Sequence, residues 1–262
     1  MIIDGKQIAK DVELNIKEVI ETNDICLGLA IILIGDDEAS HIYVNNKLKM
    51  AQRIGINCEV IKFEEDVSDF ELISQIEALN EDNAINGVIV QLPIPKHLDE
   101  NKILSLISPQ KDVDGFNPLS KFMPATAIGV VKILETVIDD FAGLNAVVIG
   151  RSKIVGKPVA ELLLSKNCTV TQCHRHTKDL SLYTKNADIV VVATGVPNLL
   201  TKDMVKQDCI IVDVGINRVD GKLCGDSDFV NLKDYVKAIT PVPGGVGPMT
   251  VACLMDNVLN GV

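Results

Sequence analysis

The chain is expected to fold as an α/β protein of two lobes, each a parallel sheet covered by helices. Two observations carry that expectation. Short apolar runs of strand length alternate with longer stretches of helical periodicity, and a βαβα order joins strands in parallel through helical crossovers. The second is the segment Asn145-Ala-Val-Val-Ile-Gly-Arg-Ser-Lys-Ile-Val-Gly-Lys-Pro158. Residues 146–149 are an apolar run that fits a buried parallel strand. Gly150 ends it, and Pro158 falls in the first turn of a helix, where its missing N–H is tolerated. Val159, Leu162 and Leu163 continue at helical spacing.

In order along the chain, Ile8, Val12, Ile16 and Val19 mark an amphipathic helix. Residues 29–34 are a fully apolar strand. A helix over 39–54 stops at Gly55, a residue suited to the left-handed C-terminal position. A strand over 58–63, a helix over 70–79 and a strand over 87–92 follow, the last ended by Pro93 and Pro95. A helix over 99–107 leads into a polar loop over 108–114. Val130, Ile133, Leu134 and Val137 form the next helical stripe. After the glycine loop come strands over 168–172, 188–194 and 209–214. Thr250 is placed to cap a last helix whose apolar stripe is Val251, Leu254, Met255 and Val258. The strand–helix order falls into two groups, with the seam around 117–124.

Composition narrows the function. Hydrophobic content of 47% supplies ample core, and a formal net charge of −11 disfavours a general binder of nucleic acid or anionic membrane. The longest apolar run, 25–35, is shorter than the ~20 residues of a membrane span and lacks the basic flank of a signal peptide. Seven scattered cysteines with no C-x-x-C pair read as reduced thiols of a cytoplasmic protein. His41, His97, His174 and His176 show no metal-ligand spacing, so no metal is expected.

The glycine loop places backbone N–H groups and the positive end of a helix dipole at one point, which suits a phosphate. Its match to G-x-G-x-x-G is imperfect, because Ser152 replaces the second glycine and the next is Gly156; a tight strand-to-helix turn would look the same. Roughly 20 residues on, an NAD site carries an acid for the ribose 2′-OH. Here the strand ends in His174-Arg-His-Thr-Lys178. A solvated basic turn is one reading; a site for the 2′-phosphate of NADP is the other, and the position favours it.

Two groups in the first half look chemical. Tyr43 and Lys47, four apart on a helix, share a face, and a lysine near a cleft can transfer protons when its surroundings lower its pKa. Such pairs are also common on exposed helices. Gln91 falls at the C-terminal end of an apolar strand, where ligands bind in open α/β sheets. Asp114, before Gly115, is either an Asx-turn acid or a carboxylate that accepts two N–H groups from a flat heterocycle. Near the end, Thr240-Pro-Val-Pro-Gly-Gly-Val-Gly-Pro-Met-Thr250 packs three glycines and three prolines into a rigid, irregular backbone with close approaches.

Together these segments resemble the bifunctional 5,10-methylenetetrahydrofolate dehydrogenase/5,10-methenyltetrahydrofolate cyclohydrolase family. The resemblance runs through Gly35-Asp-Asp-Glu-Ala-Ser40 with Tyr43 and Lys47, Val90-Gln-Leu-Pro93, Asp112-Val-Asp-Gly115, Gly150-Arg-Ser-Lys-Ile-Val-Gly156, Asp213-Val-Gly-Ile-Asn217 and Pro241-Val-Pro-Gly-Gly-Val-Gly-Pro-Met-Thr250. It covers nearly the whole chain in the family's order. It implies a catalytic, folate-binding lobe over 1–118, completed by a C-terminal helix over 248–262, and a Rossmann-like NADP-binding lobe over 119–247. It implies hydride transfer from methylenetetrahydrofolate to NADP+ and hydrolysis of the methenyl product to 10-formyltetrahydrofolate. Tyr43 would stack on the aminobenzoyl ring, Lys47 would activate the water step, Gln91 would orient Lys47, and Asp114 would hold the pterin edge. Pro243, Gly244 and Gly245, in a loop over 244–249 and just before it, would flank the ligands. Gly150, Arg151, Ser152, Ile154, Thr194, Gly195 and Ile216 would line the dinucleotide site, with Arg151 and Arg175 at the 2′-phosphate. The family implies a homodimer joined through the nucleotide-binding lobes.

Three departures from the family stand out. The segment 118–124 is short, Ala127 replaces a proline and should loosen that helix start, and Arg175 stands where serine is common. Arg175 is expected to strengthen NADP preference. A short-chain dehydrogenase also uses Tyr-x-x-x-Lys, but there the pair follows the glycine loop. A monofunctional dehydrogenase and a nucleotide-sensing protein without turnover are the other readings. The retained Lys47 speaks against the first, and Lys47, Gln91 and Asp114 together speak against the second.

Overall fold

The computed structural model describes residues 1–261. In chain order the elements are α1 (Gly5–Asn23), β1 (Gly28–Ile34), α2 (Glu38–Ile54), β2 (Asn57–Phe63), α3 (Asp69–Glu81), β3 (Gly87–Val90), α4 (Glu100–Leu106), α5 (Ala125–Glu135), β4 (Asn145–Ile149), α6 (Gly156–Ser165), β5 (Thr169–Cys173), α7 (Ser181–Thr184), β6 (Ile189–Val192), β7 (Ile210–Asp213), β8 (Asn217–Val219), β9 (Lys222–Cys224), α8 (Phe229–Leu232), β10 (Ala238–Ile239) and α9 (Val246–Leu259). By packing, they form two compact units. One holds residues 10–125 and 251–261; the other holds residues 1–9 and 126–250.

The first unit is a parallel sheet in the order β2-β1-β3. The central strand β1 is buried along its whole length, which is why every residue of Gly28-Leu-Ala-Ile-Ile-Leu-Ile34 is apolar. Edge strand β2 alternates toward solvent. Local caps fix the helices. Asp37 accepts from Ser40 N at the start of α2, and Gly55, at φ +85°, closes it in the left-handed region. Ser68 and Glu71 form a reciprocal capping box on α3.

The second unit is a five-stranded parallel sheet in the order β10-β7-β6-β4-β5. The chain runs from β4 to β5 on one side and returns to β6 on the other. The order therefore reverses between β4 and β6, the place where open α/β sheets bind ligands beyond their strand ends. The N-terminus joins this sheet: Ile2 pairs with Ile239, and Ile3 N donates to Ile239 O at 2.9 Å.

The first amphipathic helix forms as α1, with Ile16 buried and Ile8, Val12 and Val19 half-buried, and the buried face also takes in Ala9 and Ile20. Several expectations are corrected. Thr250 is not a cap. Helix α9 already begins at Val246, because Gly247 and Pro248 fit a first turn, and Thr250 Oγ1 bonds back to Val246 O at 3.3 Å. The loop expected over 244–249 is thus reduced to Gly244 and Gly245, and Met249 is buried in the helix. The expected stripe Val251, Leu254, Met255 and Val258 is buried. The hairpin β8–β9 was missed, although its turn, Asp220-Gly221 with both φ positive, carries a two-residue turn signal. Cys168, Cys173, Cys209 and Cys253 are buried, whereas Cys26 is exposed. Among the described residues, no helix is long and apolar enough to cross a membrane.

Candidate active site and dinucleotide site

In the first unit, three separate elements bring polar side chains to one point. Lys47 lies on α2 and is only 6% exposed. Its Nζ donates to Gln91 Oε1 at 3.1 Å and lies 3.8 Å from Asp114 Oδ2. Gln91 follows β3, and its backbone N–H extends the sheet by donating to Ile32 O at 2.9 Å. Its Nε2 donates to Leu92 O at 2.7 Å. With the amide nitrogen on a carbonyl, only its oxygen can face the ammonium, so the orientation of Gln91 is determined. Tyr43, one turn earlier on α2, is half-buried, and burial raises its phenol pKa. Burial also pushes the nearby Cys58 thiol to about 11, with the Lys47 charge working against that rise.

Asp112, not Asp114, is the turn acid. It is 1% exposed, accepts from Asn117 N at 2.7 Å, and pairs with β3 through a bridge to Val88. Burial, reinforced by the charge of Asp114, raises its pKa to about 6. Asn117 Nδ2 donates to Ile107 O at 2.8 Å, and Asn257 Nδ2 on α9 donates to Val113 O at 2.9 Å. These bonds hold the loop on both sides of Asp114. At 3.8 Å the Lys47–Asp114 pair is an ion pair without a hydrogen bond, so the carboxylate keeps acceptor capacity toward Lys47's side. The segment 118–124, expected to be short, is tied down as well, with Ser120 Oγ donating to Asp112 O at 3.0 Å and Lys121 N to Pro109 O at 3.2 Å. Helix α5 starts at Ala125 with Ala127 fully buried.

In the second unit, the expected residues sit at the C-terminal ends of the strands. Gly150 follows β4 at φ +133°, and a Cβ there would lie 2.3 Å from Ala193 O. A Cβ on Gly156 would lie 2.4 Å from Gly150 O. Both glycines are required by close backbone approach. Ser152 does something the sequence did not suggest. Its Oγ accepts from Val155 N at 3.1 Å and Gly156 N at 3.3 Å, so part of the expected cluster of unpaired N–H groups is already satisfied. Arg151 and Ser152 are exposed and Ile154 is half-buried. The basic turn lies beside this loop: Gly150 N donates to Cys173 O at 3.0 Å and Gln172 Nε2 to Gly150 O at 3.1 Å. Within it, His176 N donates to His174 Nδ1 at 3.2 Å, and exposed Arg175 donates through Nε to His176 Nε2 at 3.3 Å.

Thr194 and Gly195 follow β6, and Ile216, 50% exposed, follows β7. Two buried carboxylates organise these loops: Asp213, which opens the segment Asp213-Val-Gly-Ile-Asn217, and Asp226, which sequence reading did not single out. Pro243 is exposed, Gly244 adopts φ +109°, and a Cβ on Gly5 would lie 2.0 Å from Gly245 O. Tyr43, Lys47, Gln91 and Asp114 thus gather in one unit, and the expected dinucleotide residues, with 243–245, gather in the other.

Residues 3–114 match the family model described as the catalytic domain of tetrahydrofolate dehydrogenase/cyclohydrolase, and residues 124–262 match its NAD(P)-binding domain. The chain belongs to the tetrahydrofolate dehydrogenase/cyclohydrolase family. It is 46% identical over 271 residues to the bifunctional protein FolD of Exiguobacterium sibiricum, covering 99% of this chain and 98% of the relative. A crystal structure of the bifunctional FolD enzyme from Campylobacter jejuni superposes with a TM-score of 0.96 at 43% identity, covering 100% of this chain and 98% of that one. The Trypanosoma brucei FolD structure, complexed with NADP cofactor and inhibitor, gives 0.95 at 33% identity, with coverage of 100% and 96%. In this tetrahydrofolate dehydrogenase/cyclohydrolase, the NAD(P)-binding domain match spans the glycine loop, the basic turn and both buried carboxylates.

Proposed function

We propose that the protein oxidises 5,10-methylenetetrahydrofolate to 5,10-methenyltetrahydrofolate with NADP+ and then hydrolyses that product to 10-formyltetrahydrofolate. The observation that carries this reading is the meeting of Lys47, Gln91 and Asp114 from three elements, in a chain whose other unit has a strand-end glycine loop. Folate chemistry belongs to the unit built on residues 10–125. Tyr43 offers a flat face to the aminobenzoyl ring, and Asp114 accepts from the amide and amino edge of the pterin, a pairing suited to a carboxylate. In the hydrolytic step, water adds to the methenyl carbon and loses one proton; the resulting carbinol then passes its remaining proton to N5 as the carbon–N5 bond breaks, which leaves the formyl group on N10. Lys47 mediates the proton movement and stabilises the developing charge, while Gln91 keeps its Nζ aimed.

The dinucleotide fits the second unit. The close approaches at Gly150 and Gly156 make a cradle that a Cβ would fill, and the exposed Arg151 and Arg175 supply cations for a 2′-phosphate. Ser152, Ile154, Thr194, Gly195 and Ile216 complete the lining, and Pro243, Gly244 and Gly245 flank the ligands. NADP+ held by these residues would supply the hydride acceptor for the methylene carbon. The protein works as a homodimer joined through this unit, in the cytoplasm, where its free thiols stay reduced.

The test is NADPH formation from 5,10-methylenetetrahydrofolate, run beside NAD+, with the methenyl absorbance followed. Reduction of NADP+ with little methenyl build-up is expected. Methenyl that persists beyond its uncatalysed hydrolysis would leave a dehydrogenase alone, and no reduction with either nucleotide would overturn the reading.

A further inference from the structure

Asp226 lies outside every motif that pointed to the function, yet its carboxylate accepts four hydrogen bonds. It is 0% exposed. Its Oδ2 accepts from Thr194 N at 2.6 Å, Thr194 Oγ1 at 2.9 Å and Gly195 N at 2.9 Å, and its Oδ1 accepts from Asn217 Nδ2 at 2.8 Å. One side chain thereby ties the loop after β6 to the start of β8. Gly215 passes so close that a Cβ on it would meet Asp226 Oδ1 at 2.0 Å. Asp226 is itself held by Asp213, at the end of β7. Asp213 accepts from Asp226 N at 2.9 Å, Ser227 N at 2.7 Å and Gly215 N at 3.0 Å. The Asp213 backbone N–H donates to Thr240 Oγ1 at 2.8 Å, linking the assembly to the turn after β10.

We propose that Asp226 is a positioning residue of the dehydrogenase step: it shapes the dinucleotide site by fixing Thr194 and Gly195 against Asn217. The inference rests on the reading above that Thr194, Gly195 and Ile216 line that site. A carboxylate suits this place because all of its partners are donors. An amide cannot accept from all of them. An asparagine that keeps its oxygen on Thr194 and Gly195 turns its NH2 toward Asn217 Nδ2; it gives up the charge-assisted acceptor and keeps the link to Asn217 only if that amide also turns over, which weakens the tie between the two segments.

The experiment compares Asp226→Asn with the wild type in two assays on the full-length protein. Dehydrogenase turnover is measured against NADP+ concentration, and cyclohydrolase turnover on supplied methenyltetrahydrofolate without nucleotide. The expected result is a KM for NADP+ raised at least about ten-fold, with nucleotide-free hydrolysis within two-fold of wild type. Thr194→Val, a milder change that removes the hydroxyl, which donates to Asp226 Oδ2 and accepts from Val196 N at 3.3 Å, is expected to raise the same KM less, and the part of its effect that runs through Asp226 should vanish in the Asp226→Asn background. An unchanged KM in Asp226→Asn would overturn the proposal. So would equal losses in both assays with a lowered Tm, which mark a merely structural residue; should Asp226→Asn not fold, an unchanged KM in Thr194→Val would overturn it instead. A wild-type protein that does not bind NADP+ by calorimetry would instead sink the reading on which the proposal rests.

Discussion

Lys47, Gln91 and Asp114 meet as side chains, while the glycine loop and the loops after β6 and β7 meet as backbone. In the first unit, a helix, a strand end and a loop each contribute one functional group, and neighbours such as Leu92 O, Asn117 and Asn257 only aim them. In the second, the proposed dinucleotide surface is largely main chain, with the exposed side chains of Arg151 and Arg175 as its proposed cations. Glycines let the main chain approach within distances that no Cβ allows, and Asp213 and Asp226 beneath it hold the N–H groups in place. The difference teaches where each site is fragile. A side-chain site is lost by removing one group, whereas a backbone site is lost by adding an atom or by loosening what lies under it.

The sharpest way to separate the two is Lys47→Ala. It should lower cyclohydrolase turnover by about 10²–10⁴-fold and leave the Kd for NADP+, measured by calorimetry, within two-fold. A parallel loss of NADP+ binding would dissolve the distinction. Gly150→Ala attacks the other side. With φ +133° and a carbonyl where the Cβ must go, the strain should cost about 1–3 kcal/mol or more, read as a lower Tm together with loss of NADP+ binding. Arg175→Ala should weaken NADP+ about ten-fold, as expected for a charge-assisted contact, and leave NAD+ unchanged; equal affinity for NADP+ before and after the change would remove Arg175 from the site.

The smallest effect concerns the scaffold under Asp114. The folded-state pKa of Asp112, about 6, lies above its ordinary 3.8. Between those values the folded protein holds a proton that the unfolded chain releases. Asp112 therefore costs stability as pH rises from 4 to 6, and the cost is complete above 6. Asp112→Asn never ionises. The Tm of the variant minus that of wild type should thus rise by roughly 5 °C from pH 4 to pH 7, and a pH-independent difference would show that Asp112 is not the titrating group.

Particular residues show how far the chain can be read without coordinates. Period and caps locate α2, α3, β1 and β4 to within a residue or two, because Gly55, Ser68 and Gly150 act on their immediate neighbours. The short pieces β10, α7 and α8 carry no period, and α9 starts early because a Gly-Pro first turn looks like a loop until its residues are seen in place. Tyr43, Lys47, Gln91 and Asp114 are recognisable as motif members, but Ser152 and Asp226 are not recognisable as scaffolding.

By itself, then, the sequence determined the alternation of strands and helices, the glycine positions and the residue types at both sites, since each depends on neighbours a few positions away. Tertiary structure alone decided which of Asp112 and Asp114 faces Lys47 and which is buried beneath the loop. It also decided that Asp226 should serve loops it does not adjoin. Lys47 and Gln91 stand 44 residues apart, and Thr194 and Asp226 stand 32 apart. No local period encodes a hydrogen bond across such a span; it exists only once the sheets have set the strand ends side by side.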